Sequence, residues 1–366
     1  MDLKKFMIPW FDDIKPYSTE ILRVVWKDPS IKRMMLNENP LPPSPKVVEA
    51  VTKAAKMGNR YPDDGVRLKE KIGKKYNLTK DHVLLGHGSS EFIELIMMLF
   101  ITPGDEVLLP KPTFSLYHAR ALTSGGKIVE VDMLPGTLQY DTEAMIKAIT
   151  DKTKVIVICN PNNPTGDFIP DEDLIKILDQ GIPTLIDEAY LEYQDQKESK
   201  APLINQYKNA MISHTFSKAY GMAGIRFGYM LADPELIGYF RKIQMPWNVS
   251  ILTLFAAEAA FDDQENLNYK AKYNREVIDY IVSELSKIDG VKPYHSYGNY
   301  VLVDATDAGV TGKEVVDYVF SRKKIMIKTA PALRGREGFF RLSIGTKEET
   351  KECIETIKEF FEGQNR

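Results

Sequence analysis

The chain has 366 residues, 43% of them hydrophobic and 27% charged, and its 48 Lys and Arg against 51 Asp and Glu leave a net charge of −3. That balance excludes disorder on a large scale, and with no Lys/Arg block there is no electrostatic footprint for a polynucleotide. The two cysteines, Cys159 and Cys353, stand outside any CxxC pair, which excludes a zinc ribbon or a disulfide framework and suits a reducing compartment.

The first 35 residues mix charge and aromatics without a sustained period and read as an arm with a short helix. MDLKKFMIPWFDD lacks an apolar stretch of signal-peptide length, and the longest apolar run, 95–101, is too short for a bilayer. A soluble, cytoplasmic protein is expected. Pro40, Pro42, Pro43 and Pro45 predict an extended linker, since each fixes φ and removes a donor. VVEAVTKAAK then has helical spacing, and HVLLG (82–86) reads as a strand running into the helix SSEFIELIMMLF. EVLLP (106–110) predicts a strand with a helix near 114–124 after it. Further strands are expected at KIVEVDM (127–133), KVIVIC (154–159), TLIDE (184–188), AMISH (210–214) and FGYMLAD (227–233). This alternation predicts an α/β fold of βαβ units, with a largely parallel sheet between helices. Near 240 the texture changes. Helices at about 249–262 and 267–288 precede strands at YVLVDA (300–305), IMIKT (325–329) and FFRLSI (339–344), and a helix starts at 347. The expected division is 1–45 as an arm with part of a small domain, 46–240 as a large domain and 241–366 as a smaller α+β domain.

Three stretches carry candidate chemistry. In SHTFSKAYGMAGIRFGY (213–229), Lys218 follows a strand end, where parallel sheets place their functional groups. Thr215, Ser217 and Arg226 on the same turn have the hydroxyls and the guanidinium fork to hold one phosphate. NPNNPTG (160–166) predicts a compact polar loop at another strand end. IDEAY (186–190) places Asp187 at the end of a buried strand, a costly position for an acid unless donors or a cation meet it. GHGSSE (86–91) has the start of a dinucleotide fingerprint, which would imply a nicotinamide-dependent oxidoreductase. Glu91 stands where its third glycine belongs, so a phosphate cup at a helix N-terminus accounts for the segment better.

Taken together, LNENP (36–40), NRYPD (59–63), GHGSSE, PTFSLY (112–117), NPNNPTG, DEAY, TFSKAYGMAGIRFGY, PWNVS (246–250) and FRLSIGT (340–346) resemble, in order, the class I/II aminotransferases of fold type I, and within them the histidinol-phosphate aminotransferase branch. The resemblance implies a large domain with a mostly parallel seven-stranded sheet, pyridoxal 5'-phosphate (PLP) as cofactor, and a homodimer with shared active sites. It implies Lys218 as the Schiff-base lysine, Asp187 as partner of the pyridinium nitrogen, and Asn163 and Tyr190 as donors to the ring oxygen. Phe114 would stack on the ring, and Ser89, Ser90, Thr215, Ser217 and Arg226 would hold the phosphate. Arg341 is expected to bind a substrate carboxylate or its counterpart, with Asn39 nearby, and Tyr17, Tyr61 and Lys328 a substrate phosphate, Tyr61 in the neighbouring subunit's site. The branch has arginine where this chain has Lys328, and Arg334 or Arg336 could take that part. The expected reaction is transamination of histidinol phosphate with 2-oxoglutarate. Another amino acid, perhaps aromatic, and threonine-phosphate decarboxylation are the alternatives within the resemblance.

Overall fold

The apolar runs form one seven-stranded sheet in the computed structural model, which describes residues 3–14, 16, 19–194 and 198–364. Ahead of it come two 3-10 turns (Lys4–Phe6 and Pro9–Asp13), helix α1 (Glu20–Lys27) and the two-residue strand β1 (Lys32–Arg33). The proline-rich segment stays extended until Pro45, which opens α2 (Pro45–Ala55) from the first helical position, where a missing N–H costs nothing. α3 (Val66–Lys75) follows.

The main sheet then builds strand by strand: β2 (Val83–Gly86), α4 (Ser89–Phe100), β3 (Glu106–Lys111), α5 (Ser115–Thr123), β4 (Lys127–Asp132), α6 (Thr142–Lys147), β5 (Thr153–Cys159), α7 (Asp171–Leu178), β6 (Thr184–Asp187), β7 (Ala210–Thr215) and β8 (Gly228–Leu231). Its order is β2-β8-β7-β6-β5-β3-β4, parallel throughout except for β8, which runs antiparallel to both neighbours. Both faces are covered. Leu108, Ile156, Ile158, Ile186 and Ile212 join one core, while Val107, Leu109, Val155, Val157 and Leu185 join the other. Such two-sided burial is why these strands read as continuous apolar runs rather than alternating ones.

Helices α8 (Pro234–Ile243), α9 (Ile251–Asp262) and α10 (Gln264–Leu285) come next. Ser250 caps α9 by accepting from the Thr253 N–H at 3.2 Å, so the helix starts slightly after the expected 249. α9 adds Leu254, Ala256, Ala257 and Ala260 to the first core. A second sheet, β12-β13-β10-β9, is antiparallel: β9 (Lys292–Tyr294), β10 (Tyr300–Asp304), α11 (Gly312–Lys323), β11 (Ile325–Met326), β12 (Lys328–Thr329), β13 (Phe339–Ser343) and finally α12 (Lys347–Gln364). It has its own core, around Val301, Val303, Phe340 and Leu342. The run IMIKT, expected as one strand, is divided. Ile325–Met326 pairs in parallel with β1, and Lys328–Thr329 pairs with β13, with buried Ile327 as the pivot between the two partners. Among the described residues no helix is long and apolar enough to cross a membrane.

Candidate active site

A cavity of about 670 Å³ opens at the carboxyl ends of β3, β5, β6 and β7, where the loops after parallel strands converge. Phe114, Cys159, Asn163, Asp187, Thr215 and Lys218 line it from these strand ends, and Lys328 and Arg341 from the second sheet. Lys218 is half-buried. Its amine donates to the carbonyls of Leu36 at 3.2 Å and Asn37 at 3.1 Å, and among the described residues it meets no carboxylate. Loss of solvent, reinforced by the nearby Arg341 guanidinium, brings its pKa down to about 8, with Glu38 opposing. The turn behind it is fixed by the Asn39 amide, which donates to the carbonyls of Lys218 and Ala219, both at 3.1 Å. Buried Lys270 donates to the Tyr220 carbonyl at 2.9 Å. Asn39 therefore braces the lysine turn and is not among the residues lining the cavity.

Asp187 closes β6 and is 3% exposed. Its oxygens accept from the Tyr117 hydroxyl at 2.7 Å and the Ser213 hydroxyl at 2.9 Å, and it has no ion pair among the described residues. Burial raises its pKa, and these two donors together with His214 pull against that rise. Tyr190 is buried, and its hydroxyl accepts from the amides of Asn37 at 3.0 Å and Asn163 at 3.2 Å. The Asn163 carbonyl in turn accepts from Arg341 Nη1 at 2.6 Å, while Arg341 Nη2 donates to the Met35 carbonyl at 2.8 Å. Phe114 forms one wall and meets Tyr117 edge-on, with ring centroids 5.6 Å apart.

At the other end, α4 starts without a side-chain cap, because its N-cap is Gly88 at φ +101°. Ser89 and Ser90 thus present the open first turn of a helix to the cavity. Arg226, itself at φ +62°, reaches Ser217 Oγ with Nη1 at 3.1 Å and Ser90 Oγ with Nη2 at 3.4 Å, and the Thr215 hydroxyl donates to Ser217 Oγ at 3.0 Å. Burial lowers the Arg226 pKa. Glu91 belongs to the scaffold of this cup. It accepts from the His87 N–H at 2.7 Å and from the Gln244 and Asn248 amides, and a dinucleotide-type glycine would forfeit all of these bonds.

The structure therefore brings Ser89, Ser90, Phe114, Asn163, Asp187, Tyr190, Thr215, Ser217, Lys218, Arg226, Lys328 and Arg341 to one cavity. Tyr61 lies elsewhere, 77% exposed and stacked on Trp247 at 4.5 Å, and Tyr17 lies outside the described residues. Lys328 sits at the rim. Its side chain is open to solvent, yet crowding of its head, then Arg341, lowers its pKa. The arginines considered as its substitutes are committed elsewhere. Arg334 donates to the Met133 carbonyl at 2.8 Å, and Arg336 pairs with Asp304 at 2.7 Å and Asp307 at 2.9 Å. Sequence reasoning passed over Asn37, Tyr117 and Ser213. Each lies inside a stretch already singled out, but only tertiary contact reveals its partner.

A family model described as aminotransferase class I and II matches residues 33–357. The chain belongs to the class I and II aminotransferases. It is thus a PLP-dependent aminotransferase, and this assignment displaces the nicotinamide reading of GHGSSE. Similar proteins include the histidinol-phosphate aminotransferase of Methanosphaera stadtmanae, 33% identical over 336 residues, covering 91% of each chain. That of a Geobacillus species is 34% identical, covering 90% of each. The crystal structure of the Sinorhizobium meliloti histidinol-phosphate aminotransferase in complex with pyridoxal-5'-phosphate shares the fold. Its TM-score is 0.88 at 24% identity, with 98% of each chain covered. The fold expected for this aminotransferase, a mostly parallel seven-stranded sheet between helices, is the one observed.

Proposed function

We propose that this aminotransferase holds PLP between Lys218 and Asp187 and uses histidinol phosphate as amino donor with 2-oxoglutarate as acceptor. One observation carries the cofactor reading: a depressed lysine amine, a buried carboxylate without a cation, and an open helix start ringed by hydroxyls and a guanidinium all face one cavity. Each would otherwise be a defect. A buried carboxyl without a cation is costly, and so is an amine desolvated among carbonyls. A ring nitrogen that carries a proton answers the first, a carbonyl that condenses with an amine answers the second, and a phosphate answers the cup.

When bound, PLP supplies an electron sink for the charge left at a substrate α-carbon. The residues do the rest. Lys218, its amine brought down to about 8, would hold the cofactor's carbonyl carbon with loss of water and, once the substrate's amine has displaced it, would be free to take and return a proton at that α-carbon. Asp187, locked by Tyr117 and Ser213, would accept the proton carried by the ring nitrogen as a hydrogen bond. Tyr190 already accepts two amide hydrogens, so its own hydrogen is aimed at an acceptor such as the ring oxygen. Phe114 would pack against the ring, Ser89, Ser90, Thr215, Ser217 and Arg226 would hold the phosphate, and Arg341 would orient the substrate anion. On this reading 46–240 carries the cofactor residues and the part after 241 brings Arg341 and Lys328. Exposed Tyr61, which does not line its own chain's cavity, supports a homodimer in which it completes the partner's site.

The donor assignment rests on the relatives' names and on two adjacent cations, since Lys328 and Arg341 are direct cross-strand partners. Incubating the purified enzyme with 2-oxoglutarate and a panel of donors that includes histidinol phosphate and phenylalanine tests it. Glutamate should appear fastest with histidinol phosphate. A preference for phenylalanine, or carbon dioxide release in place of glutamate, would displace the proposal.

A further inference from the structure

We propose that His214, clamped between Glu188 and Glu192 on the reverse face of the sheet, is a positioning residue for Asp187. The inference rests on the reading of Asp187 given above. Side chains alternate along β7, so Ser213, bonded to Asp187, and Thr215, which lines the cavity, share one side and His214 turns away. β6 does the same with Asp187 and the residue that follows it. The Glu188 N–H donates to the Ser213 carbonyl at 2.9 Å, lacing the two strand ends together, and its side chain meets the imidazole from behind. His214 Nε2 lies 3.1 Å from Glu188 Oε2, and Nδ1 lies 2.9 Å from Glu192 Oε1. The three side chains are 0%, 0% and 5% exposed. Tyr229 and Tyr76 pack against the ring, with centroids 4.7 and 5.6 Å away and 6.4 Å from each other. Among the described residues the titratable groups facing it are therefore Glu188 after β6, Glu192 in the 3-10 turn Leu191–Tyr193, Tyr76 just after α3 and Tyr229 on β8.

Two carboxylates buried this deeply need a cation, and among the described residues the imidazolium is the one they face. Burial alone would lower the His214 pKa, but the hydrogen bonds it donates to Glu188 and Glu192 outweigh it and lift the value to about 9. The ring thus stays charged at neutral pH. Its neighbour in sequence, Ser213, is bonded to Asp187, and the positive charge behind the strand favours the ionised carboxyl that the ring nitrogen requires. His214 touches neither cofactor nor substrate; it acts through the strand and through the field.

The test measures the dissociation constant for PLP at neutral pH on cofactor-free protein, together with KM for the amino donor, in wild type, His214→Gln, His214→Arg and Glu192→Gln. We expect His214→Gln to weaken PLP binding about tenfold, roughly the effect of one lost charge near a buried acid. KM should stay unchanged, and His214→Arg should restore the binding because it keeps a cation with N–H donors. Glu192→Gln removes a negative charge and should tighten PLP binding. A merely structural role weakens both Gln variants alike. Unaltered PLP affinity in His214→Gln, or a loss that His214→Arg does not repair, overturns the inference. Should His214→Gln fail to fold, Glu192→Gln decides: tighter binding supports the inference, and equal or weaker binding overturns it. A wild-type protein that binds no PLP overturns the proposed function, and this inference with it.

Discussion

Lys218 shows how position sets the chemistry of one side chain. A lysine on the surface keeps its amine protonated until pH approaches 10.5, whereas this one titrates at about 8. PLP uptake by the cofactor-free protein should therefore speed up with pH and level off above about 8; a rate still climbing at pH 10 would contradict the assignment. Lys218→Ala should lose the borohydride-sensitive absorbance and roughly 10⁴-fold in turnover, the upper range for a positioned proton-transfer group. Lys328→Arg should lower KM for a phosphorylated donor severalfold, because a planar fork grips two oxygens where an ammonium grips one at a time. Unchanged or weaker binding would remove Lys328 from the donor site. At this scale the motifs made the cavity residues legible, but not their supports. Nothing in Asn37 as a letter tells that it sits at φ +54° and exchanges hydrogen bonds with Tyr190 and Ser343. Asn39, two residues on, looked the better candidate and instead braces the lysine turn.

Among the elements, the start of α4 depends most on one backbone torsion. A Cβ at Gly88 would lie 2.5 Å from Arg226 Nη2, and φ +101° is strained for any L side chain. Gly88→Ala should cost about 1–3 kcal/mol of stability and weaken PLP binding as well. Gly181→Ala is the control. It too has positive φ, +71°, but nothing lies within 4 Å of its Cβ, so stability should fall and cofactor affinity should not. Equal PLP affinity in wild type and Gly88→Ala would argue against the cup. The strands were the legible elements, because two-sided burial writes an unbroken apolar run. α3 was not, since VRLKEKIGKK buries only Leu68, Lys69, Ile72 and Gly73 and shows charge nearly everywhere else. The division of IMIKT was equally hidden, as it is set by which neighbours the two halves find.

For the whole molecule, stability should carry the signature of the triad behind the sheet. The His214 pKa is raised from 6.5 to about 9 in the folded state. Its stabilisation is therefore complete below about pH 6.5 and disappears as pH rises through about 9, an effect on the order of 3 kcal/mol at most. Wild-type melting temperature should fall across that window, and His214→Gln should flatten the fall. A slope that persists in the variant would place its origin in other groups. The cavity lies where the seven-stranded sheet meets β12 and β13, so neither sheet alone encloses it.

The pairing of β6 with β7 has a final consequence. Asp187 lies opposite Ser213, and the next residue along is also an acid. Were β6 to slip by one position, Glu188 would look out at the cavity and Asp187 would be shut in among tyrosines. The choice between two adjacent carboxylic acids is thus made by strand alignment and not by anything intrinsic to either. A single residue inserted within 184–187 should silence the enzyme, whereas one inserted in the preceding loop, 179–183, should leave it working.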